Sequence, residues 1–186
     1  MASIKKFFHT IWIWILAVIG KKTVYSHNIP NLIQVKPGVW RSGQPQSIDD
    51  WRYLKGLGIN VVVKLNFESE GSDSGATSVG LWVYVLSIQP DGDKDIINDF
   101  TNTFLKPDPE KVAQADFIIL KRDGVLVHCT HGHDRTGYLI GRHRVLSGDM
   151  PKDDAYDEML ELGFHPELMG LSEAWAAFEV SSNVKK

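Results

Sequence analysis

The residues that offer the clearest chemistry are Cys129, the one cysteine among 186 residues, and Arg135, six positions later. They belong to the segment HCTHGHDRTG, where an apolar strand is predicted to end and a helix to begin. Backbone N–H groups and the helix dipole converge at such a turn and favour anions. A five-residue loop wrapped around a tetrahedral anion would place Cys129 beneath it as a nucleophile, while Arg135 binds two of its oxygens.

The residues around these two have predicted roles in the same loop. The helix start and Arg135 are expected to stabilise the thiolate form of Cys129. Gly132 permits the left-handed backbone that such a wrap needs. Thr136 is expected to donate its hydroxyl to the sulfur, and His128 to support the thiolate. The residues expected to bind the substrate are Thr130, His131, Gly132, His133, Asp134 and Thr136.

Two other interpretations of this segment are less favourable. An inert core cysteine would need no arginine six residues later. A metal site built from the cysteine and its neighbouring histidines would be more crowded than the usual ligand spacings allow. The sequence therefore predicts a site that works without a metal.

The segment from His128 to Gly137 resembles the signature loop of cysteine-based protein tyrosine phosphatases, in particular the small dual-specificity class. The resemblance extends over about Val35 to Val180 and includes WRSGQP, from Trp40 to Pro45, which is similar to the opening strand of small members. It implies a two-step hydrolysis, in which Cys129 attacks phosphorus to form a phosphocysteine and water then releases phosphate. No cofactor is implied.

Expulsion of the leaving group requires a proton, which members of this class take from an aspartate on a separate loop. The loop after the predicted strand Leu81–Ile88 contains Asp91, Asp93 and Asp95. Asp93 is the predicted acid, because its position after SIQP looks like that of the family's acid. The other two remain alternatives, as does a solvated turn that caps the following helix. A calcium loop is excluded, because its sixth and twelfth positions lack the required glycine and glutamate.

Strands that alternate with helices predict a single α/β domain with a central, mostly parallel sheet and helices on both faces. Ser47 is a predicted N-cap, the β-branched run Val61–Leu65 is typical of a buried strand, and Phe67–Gly80 is expected to be a loop or a frayed helix start. Further strands are expected at Val39–Arg41, Leu81–Ile88 and Gly124–His128. Helices are expected at about 47–56, up to 105, 110–121, 135–147, 151–163 and 166–180.

Composition limits the classes of function. Apolar residues make up 43% of the chain, which excludes an intrinsically disordered protein. The net charge of -3 argues against a strongly basic nucleic-acid binder. A single cysteine excludes an internal disulfide framework and any multi-cysteine metal cluster.

The N-terminal segment differs from the rest of the chain: two lysines precede an unbroken apolar run, Ile11–Ile19. This run is shorter than the roughly 20 residues that span a bilayer. The pattern is typical of a secretory signal peptide with cleavage after Ser26, although two further lysines leave an uncleaved anchor as an alternative. We expect residues 1–28 to be a signal peptide or membrane anchor and residues 29–186 to be the catalytic domain of an exported (periplasmic or secreted) or membrane-anchored protein.

The expected substrate is phosphotyrosine in proteins, with phosphoserine and phosphothreonine as further substrates. Inositol phosphates and phosphoinositides are an alternative, since His131 and His133 are candidates for binding extra negative charge, although Asp134 opposes it. RNA 5′-triphosphatases share HCTHG followed by RTG, but the acidic balance and the apparent export segment argue against nucleic acid. An inactive phosphate-binding module is disfavoured, because the cysteine, the arginine and an acid are all present.

Overall fold

A computed structural model describes residues 27–89 and 106–180, which form a five-stranded sheet with helices around it. The order across the sheet is β1-β2-β5-β3-β4; β1 is antiparallel to β2, and the other neighbours are parallel. The carboxyl ends of β2, β5 and β3 therefore lie side by side, at the edge where open α/β sheets bind ligands. The strands are β1 (Ile33–Lys36), β2 (Val39–Ser42), β3 (Val61–Lys64), β4 (Trp82–Val85) and β5 (Val125–His128).

The helices in the described residues are α1 (Ile48–Gly56), α2 (Ser74–Ser78), α3 (Pro109–Lys121), α4 (Asp134–Leu146), α5 (Lys152–Glu161) and α6 (Met169–Ala176), and a 3-10 turn at Glu68–Glu70 follows β3. Local sequence explains two of the helix starts. At α1, Ser47 Oγ accepts from the Asp50 N–H at 3.1 Å, and Asp50 Oδ2 accepts from the Ser47 N–H at 2.9 Å, a reciprocal capping box. At α3, Asp108 caps the helix and Pro109 takes the first helical position.

Helices cover both faces of the sheet, because alternate residues of the central strands point to opposite sides. Val61 and Val63 belong to the larger core, together with residues of α3, α4, α5 and α6. Val62 and Leu126 belong to the smaller core, together with Trp51 of α1. This is the period-two pattern of strands that are buried on both faces.

The predicted α/β fold, with a mostly parallel sheet and helices on both faces, is confirmed. The short edge strand β1 was not expected, and α2 forms within the segment predicted as a loop or a frayed helix start. The N-terminal segment up to residue 26 and the helix expected to end near residue 105 lie outside the described residues. No helix in residues 27–89 and 106–180 combines the length and hydropathy required to cross a membrane.

Candidate active site

The loop between β5 and α4 contains the predicted nucleophile. Cys129 directly follows β5 and is buried, with 3% of its surface exposed. The N–H of Gly132 points into the loop and donates to Cys129 Sγ at 3.2 Å. Gly132 has a φ of 84°, in the left-handed region that glycine adopts without strain. Asp134 begins α4, so the loop closes onto a helix N-terminus with its positive dipole end.

Arg135 lies in the first turn of α4, and Glu70 holds its guanidinium. Nη1 donates to Glu70 Oε2 at 2.9 Å and Nη2 to Glu70 Oε1 at 2.6 Å, which makes the pair bidentate. Nη2 also donates to Thr130 Oγ1 at 3.0 Å, and that hydroxyl donates to Glu70 Oε1 at 2.8 Å. Cys129 lies within electrostatic range of Arg135, so the bonds to Glu70 and Thr130 fix the guanidinium near the predicted nucleophile.

The carboxylate of Glu70 stays ionised at neutral pH. Hydrogen bonds from Arg135 lower the pKa of Glu70 to about 2, and the Phe67 N–H donates to Glu70 Oε2 at 2.8 Å. The positive charge of Arg135 is therefore balanced by one carboxylate before any substrate binds. A guanidinium has five N–H groups, so donors remain for a phosphoryl oxygen.

His128, directly before the nucleophile, pairs with a second carboxylate. Its Nε2 lies 2.8 Å from Asp73 Oδ2, and because an ionised carboxylate only accepts, this nitrogen carries a proton. Although burial favours the neutral acid, hydrogen bonds from His128 and Gln44 hold the pKa of Asp73 below its usual range. The Trp51 and His128 rings pack in a T-shaped arrangement, with centroids 6.0 Å apart. The other ring nitrogen of His128, Nδ1, has no hydrogen-bond partner among the described residues, so no bond from it reaches the sulfur.

The remaining loop side chains mostly face away from the anion position. Thr136 Oγ1 is buried and has no hydrogen-bond partner in the described part of the chain, so its expected bond to the sulfur is not formed. His131 is exposed and His133 is half-buried. Asp134 Oδ1 accepts from the His165 N–H and also lies 2.9 Å from His165 Nδ1, which directs this carboxylate toward the segment after α5.

The predicted acid cannot be placed in this geometry, because Asp91, Asp93 and Asp95 lie outside the described residues. Within residues 27–89 and 106–180, no three His, Cys, Asp or Glu side chains converge as metal ligands.

Two carboxylates of the site, Glu70 and Asp73, were not predicted. Both lie in an acidic, glycine-rich segment that looks like a solvated loop. The register of the sheet brings them to the site: Lys64 is paired with His128 in the parallel ladder of β3 and β5. The loop that follows Lys64 therefore runs beside the loop that follows His128. The order of the strands could not be predicted from the sequence, and without it Glu70 and Asp73 could not be assigned to the site.

The family model of the tyrosine phosphatase family matches residues 29–146. Among solved structures, the chain resembles the core catalytic domain of the PP-IP phosphatase Siw14 from S. cerevisiae, with a TM-score of 0.63 and 20% identity over 83% of this chain and 89% of that chain. It also resembles P. aeruginosa TpbA, with a TM-score of 0.62 and 19% identity over 86% and 94% of the two chains. PTPMT1 in complex with PI(5)P gives a TM-score of 0.58 and 15% identity over 78% and 94%. Curated proteins gave no match.

At these identities the solved structures show a shared fold, and the family model carries the family assignment. The match to the family model spans more than half of the chain, from residue 29 to the end of α4. It includes all five strands and the signature loop. The buried cysteine, the inward N–H of Gly132 and the arginine at the helix start lie within it. The chain therefore belongs to the tyrosine phosphatase family, within the superfamily of cysteine-based protein tyrosine phosphatases.

Proposed function

We propose that the protein is a tyrosine phosphatase that hydrolyses phosphotyrosine in proteins through a phosphocysteine on Cys129. One observation carries the proposal: the buried sulfur lies below the inward N–H of Gly132 and beside the Arg135 guanidinium, at the start of a helix. Helix N-termini and adjacent cations stabilise a thiolate. The same donors are suited to phosphoryl oxygens, on which negative charge is concentrated in the transition state.

The proposed reaction has two steps. The thiolate of Cys129 attacks phosphorus, the S–P bond forms as the bond to the tyrosyl oxygen breaks, and Asp93 gives that oxygen its proton. Water then attacks the phosphocysteine, Asp93 takes its proton, and inorganic phosphate leaves as the thiolate is restored. Arg135 and the backbone N–H groups of residues 130–135 bind the phosphoryl oxygens in both steps.

The family match supports phosphotyrosine as the substrate class, because the model that matches residues 29–146 is that of the tyrosine phosphatase family. The charge of Arg135 is already balanced by Glu70, and a polyphosphorylated ring would require further cations at the site.

Turnover of aryl phosphates by the purified chain tests the chemistry. We expect activity in the wild type, none in Cys129→Ser, and a large loss in Arg135→Lys, because lysine cannot bind two oxygens as a planar fork. Asp93→Asn should slow phenyl phosphate more than p-nitrophenyl phosphate, whose leaving group needs no proton; Asp91→Asn and Asp95→Asn are the matched controls. Full activity in Cys129→Ser would refute the mechanism.

Inositol phosphates are the second candidate, favoured by a group of histidines at the rim of the site. His131 is exposed, and the rings of His133 and His165 lie 6.2 Å apart. Siw14 is a PP-IP phosphatase, and PTPMT1 was solved with PI(5)P, so both substrate classes occur on this fold. Comparing kcat/KM for a phosphotyrosine peptide, a phosphoserine peptide, soluble inositol phosphates and phosphoinositide vesicles decides between the candidates. A preference for inositol phosphates would overturn the proposed substrate class and leave the cysteine mechanism intact.

We also propose that residues 1–28 direct export of the protein or anchor it in a membrane. The support is the sequence pattern of two lysines followed by a short apolar run. Mass spectrometry of the protein purified from its native host tests the proposal. A new N-terminus at His27 supports cleavage, and an intact N-terminus in the membrane fraction supports anchoring. A soluble protein in the cytosol with Met1 intact would contradict both.

A further inference from the structure

The outer side of the signature loop is held by three donors, one for each of three successive carbonyl groups. Thr130 O accepts from the Gln44 N–H at 3.1 Å. His131 O accepts from Asn31 Nδ2 at 2.8 Å. Gly132 O accepts from Arg41 Nη2 at 2.6 Å. All three donors come from residues 31–44, the segment that contains β1, β2 and all of the WRSGQP sequence except Pro45.

A carbonyl that is fixed outward also fixes an N–H inward, because the C=O and N–H of a planar trans peptide point in opposite directions. The unit between His131 and Gly132 shows both ends: its oxygen bonds to Asn31, and its N–H bonds to Cys129 Sγ. By the same geometry, the bond from Arg41 to Gly132 O directs the N–H of His133 into the loop.

We propose that Arg41 and Asn31 are positioning residues of the signature loop. They hold its outer carbonyl groups, so that its N–H groups point inward at the phosphoryl oxygens. The inference rests on the proposed function in one respect, namely that this loop binds a phosphoryl group. Neither side chain is needed to touch the substrate. Both act through the backbone of residues 131–133.

Arg41 and Asn31 each carry a feature that is unfavourable for the stability of the fold, which supports a role beyond packing. Arg41 is 2% exposed, and its Nε has no hydrogen-bond partner within the described residues, which is unfavourable for a buried cation. Asn31 has a φ of 51°, and it is the one described residue other than glycine with a positive φ. Asparagine tolerates this conformation better than most residues, but not without strain. The strained backbone places Nδ2 against both His131 O and His133 Nε2.

Close packing shows that the two segments are fitted to each other. A methyl group at Gly132 would lie 2.5 Å from the backbone N of Gly43, and one at Gly43 would lie 2.9 Å from His131 O. Backbone therefore lies directly on backbone at this point, and no side chain separates them. The charged groups that face Arg41 are Cys129 in the loop, Asp134 and Arg144 on α4, and Glu158 on α5.

Binding of vanadate to the full chain tests the proposal without depending on the substrate class. Asn31→Gly keeps the left-handed backbone and removes the donor. We expect this variant to bind vanadate about tenfold more weakly. The effect should be smaller than the 10²–10³ loss in kcat that follows removal of a direct oxyanion donor, because Asn31 acts only through the backbone. Arg41→Met should weaken binding to a similar extent. Arg41→Lys retains one donor and should recover part of the affinity. Melting temperatures are measured on the same samples to separate affinity from stability.

The matched control is Arg142→Met, which removes another largely buried arginine of the fold. Arg142 bonds to Asp116 and stacks on Phe178, away from the loop. We expect this variant to lose stability and to keep vanadate affinity. If Arg41→Met does not fold, Asn31→Gly decides. Wild-type affinity in folded Asn31→Gly would overturn the proposal, whereas a wild-type protein that neither binds vanadate nor turns over aryl phosphates would overturn the proposed function itself.

Discussion

Glu70 organises the site without supplying chemistry of its own. An unpaired arginine samples many rotamers, and binding a phosphoryl group would have to restrict all of them. Its two bonds to Glu70 hold the Arg135 fork in one plane before the substrate arrives. In the proposed reaction, this carboxylate acts through the guanidinium: Arg135 is already ordered, so less conformational entropy is lost when the transition state forms.

Replacing Glu70 should show this effect directly. Glu70→Gln turns one acceptor oxygen into a donor that cannot pair with the arginine fork, so we expect kcat/KM for an aryl phosphate to fall about tenfold or more. The control is Glu68→Gln, because Glu68 is two residues away, has 64% of its side chain exposed and pairs with Lys64 rather than Arg135. Kinetics of Glu70→Gln that match those of Glu68→Gln would contradict the role.

Oxidation should inactivate the protein at Cys129. A thiolate reacts with peroxide to give a sulfenic acid, and with no second cysteine in the chain no internal disulfide can trap it. We expect activity to fall on peroxide treatment, to return partly with an added thiol at early times, and to be protected by vanadate. Full activity that persists after peroxide treatment would count against a reactive thiolate at this position.

The helix α4 carries Arg135 at its start and a buried histidine near its end. His143 is 1% exposed, and neither ring nitrogen has a hydrogen-bond partner among the described residues. Burial, together with the charge of Lys36 on β1, lowers the pKa of His143 to about 4. Arg144 lowers it further and Asp149 opposes the shift. Between about pH 4 and pH 6.5, His143 is therefore neutral in the folded protein and protonated in the unfolded chain.

This histidine should make the fold acid-sensitive. The unfolded chain binds the proton below about pH 6.5 and the folded chain only below pH 4, so stability is full above pH 6.5 and declines as the pH falls through this window. The expected loss is up to about 3 kcal/mol in the free energy of unfolding. Urea unfolding of the wild type and of His143→Leu at several pH values measures it. The variant should lose less stability between pH 6.5 and 4; equal slopes would contradict the assignment.

Elements with strong local signals were predictable from the sequence. Ser47 and its capping box mark α1, and the β-branched run at Val61–Val63 marks β3. The strand Ile33–Lys36 was missed because it is a half-exposed edge strand whose pairing depends on β2. Cys129 and Arg135 could be assigned to one candidate site because they share one short segment. Glu70, Asp73, Asn31 and Arg41 could not, because each reaches the loop through strand order and not through sequence proximity.

Residues 27–29, which follow the predicted cleavage position, make contacts with the folded domain. The ring of His27 stacks on Tyr53 with centroids 3.8 Å apart, and the Asn28 N–H donates to Asp50 at 3.2 Å. Ile29 is buried in the smaller core. Cleavage after Ser26 would preserve all of these contacts, whichever cellular location the protein has.

A pair of truncations tests how far the folded unit extends. A chain of residues 27–186 should keep the stability of the full chain, whereas one of residues 30–186 should lose about 2 kcal/mol, chiefly from the buried side chain of Ile29. Urea unfolding of the two chains and of Ile29→Ala in the longer one provides the comparison. Equal stability of both truncations would show that residues 27–29 do not contribute to the core.

The proposed nucleophile is also the one cysteine of the chain, so thiol-specific reagents have one site of reaction in each molecule. The amount of an iodoacetamide dye bound per chain then counts the sites that are reduced and open, and vanadate should slow that labelling. Activity can therefore be expressed per competent site instead of per milligram of protein. Such a titration separates an enzyme that is slow on a given substrate from a preparation that is partly oxidised.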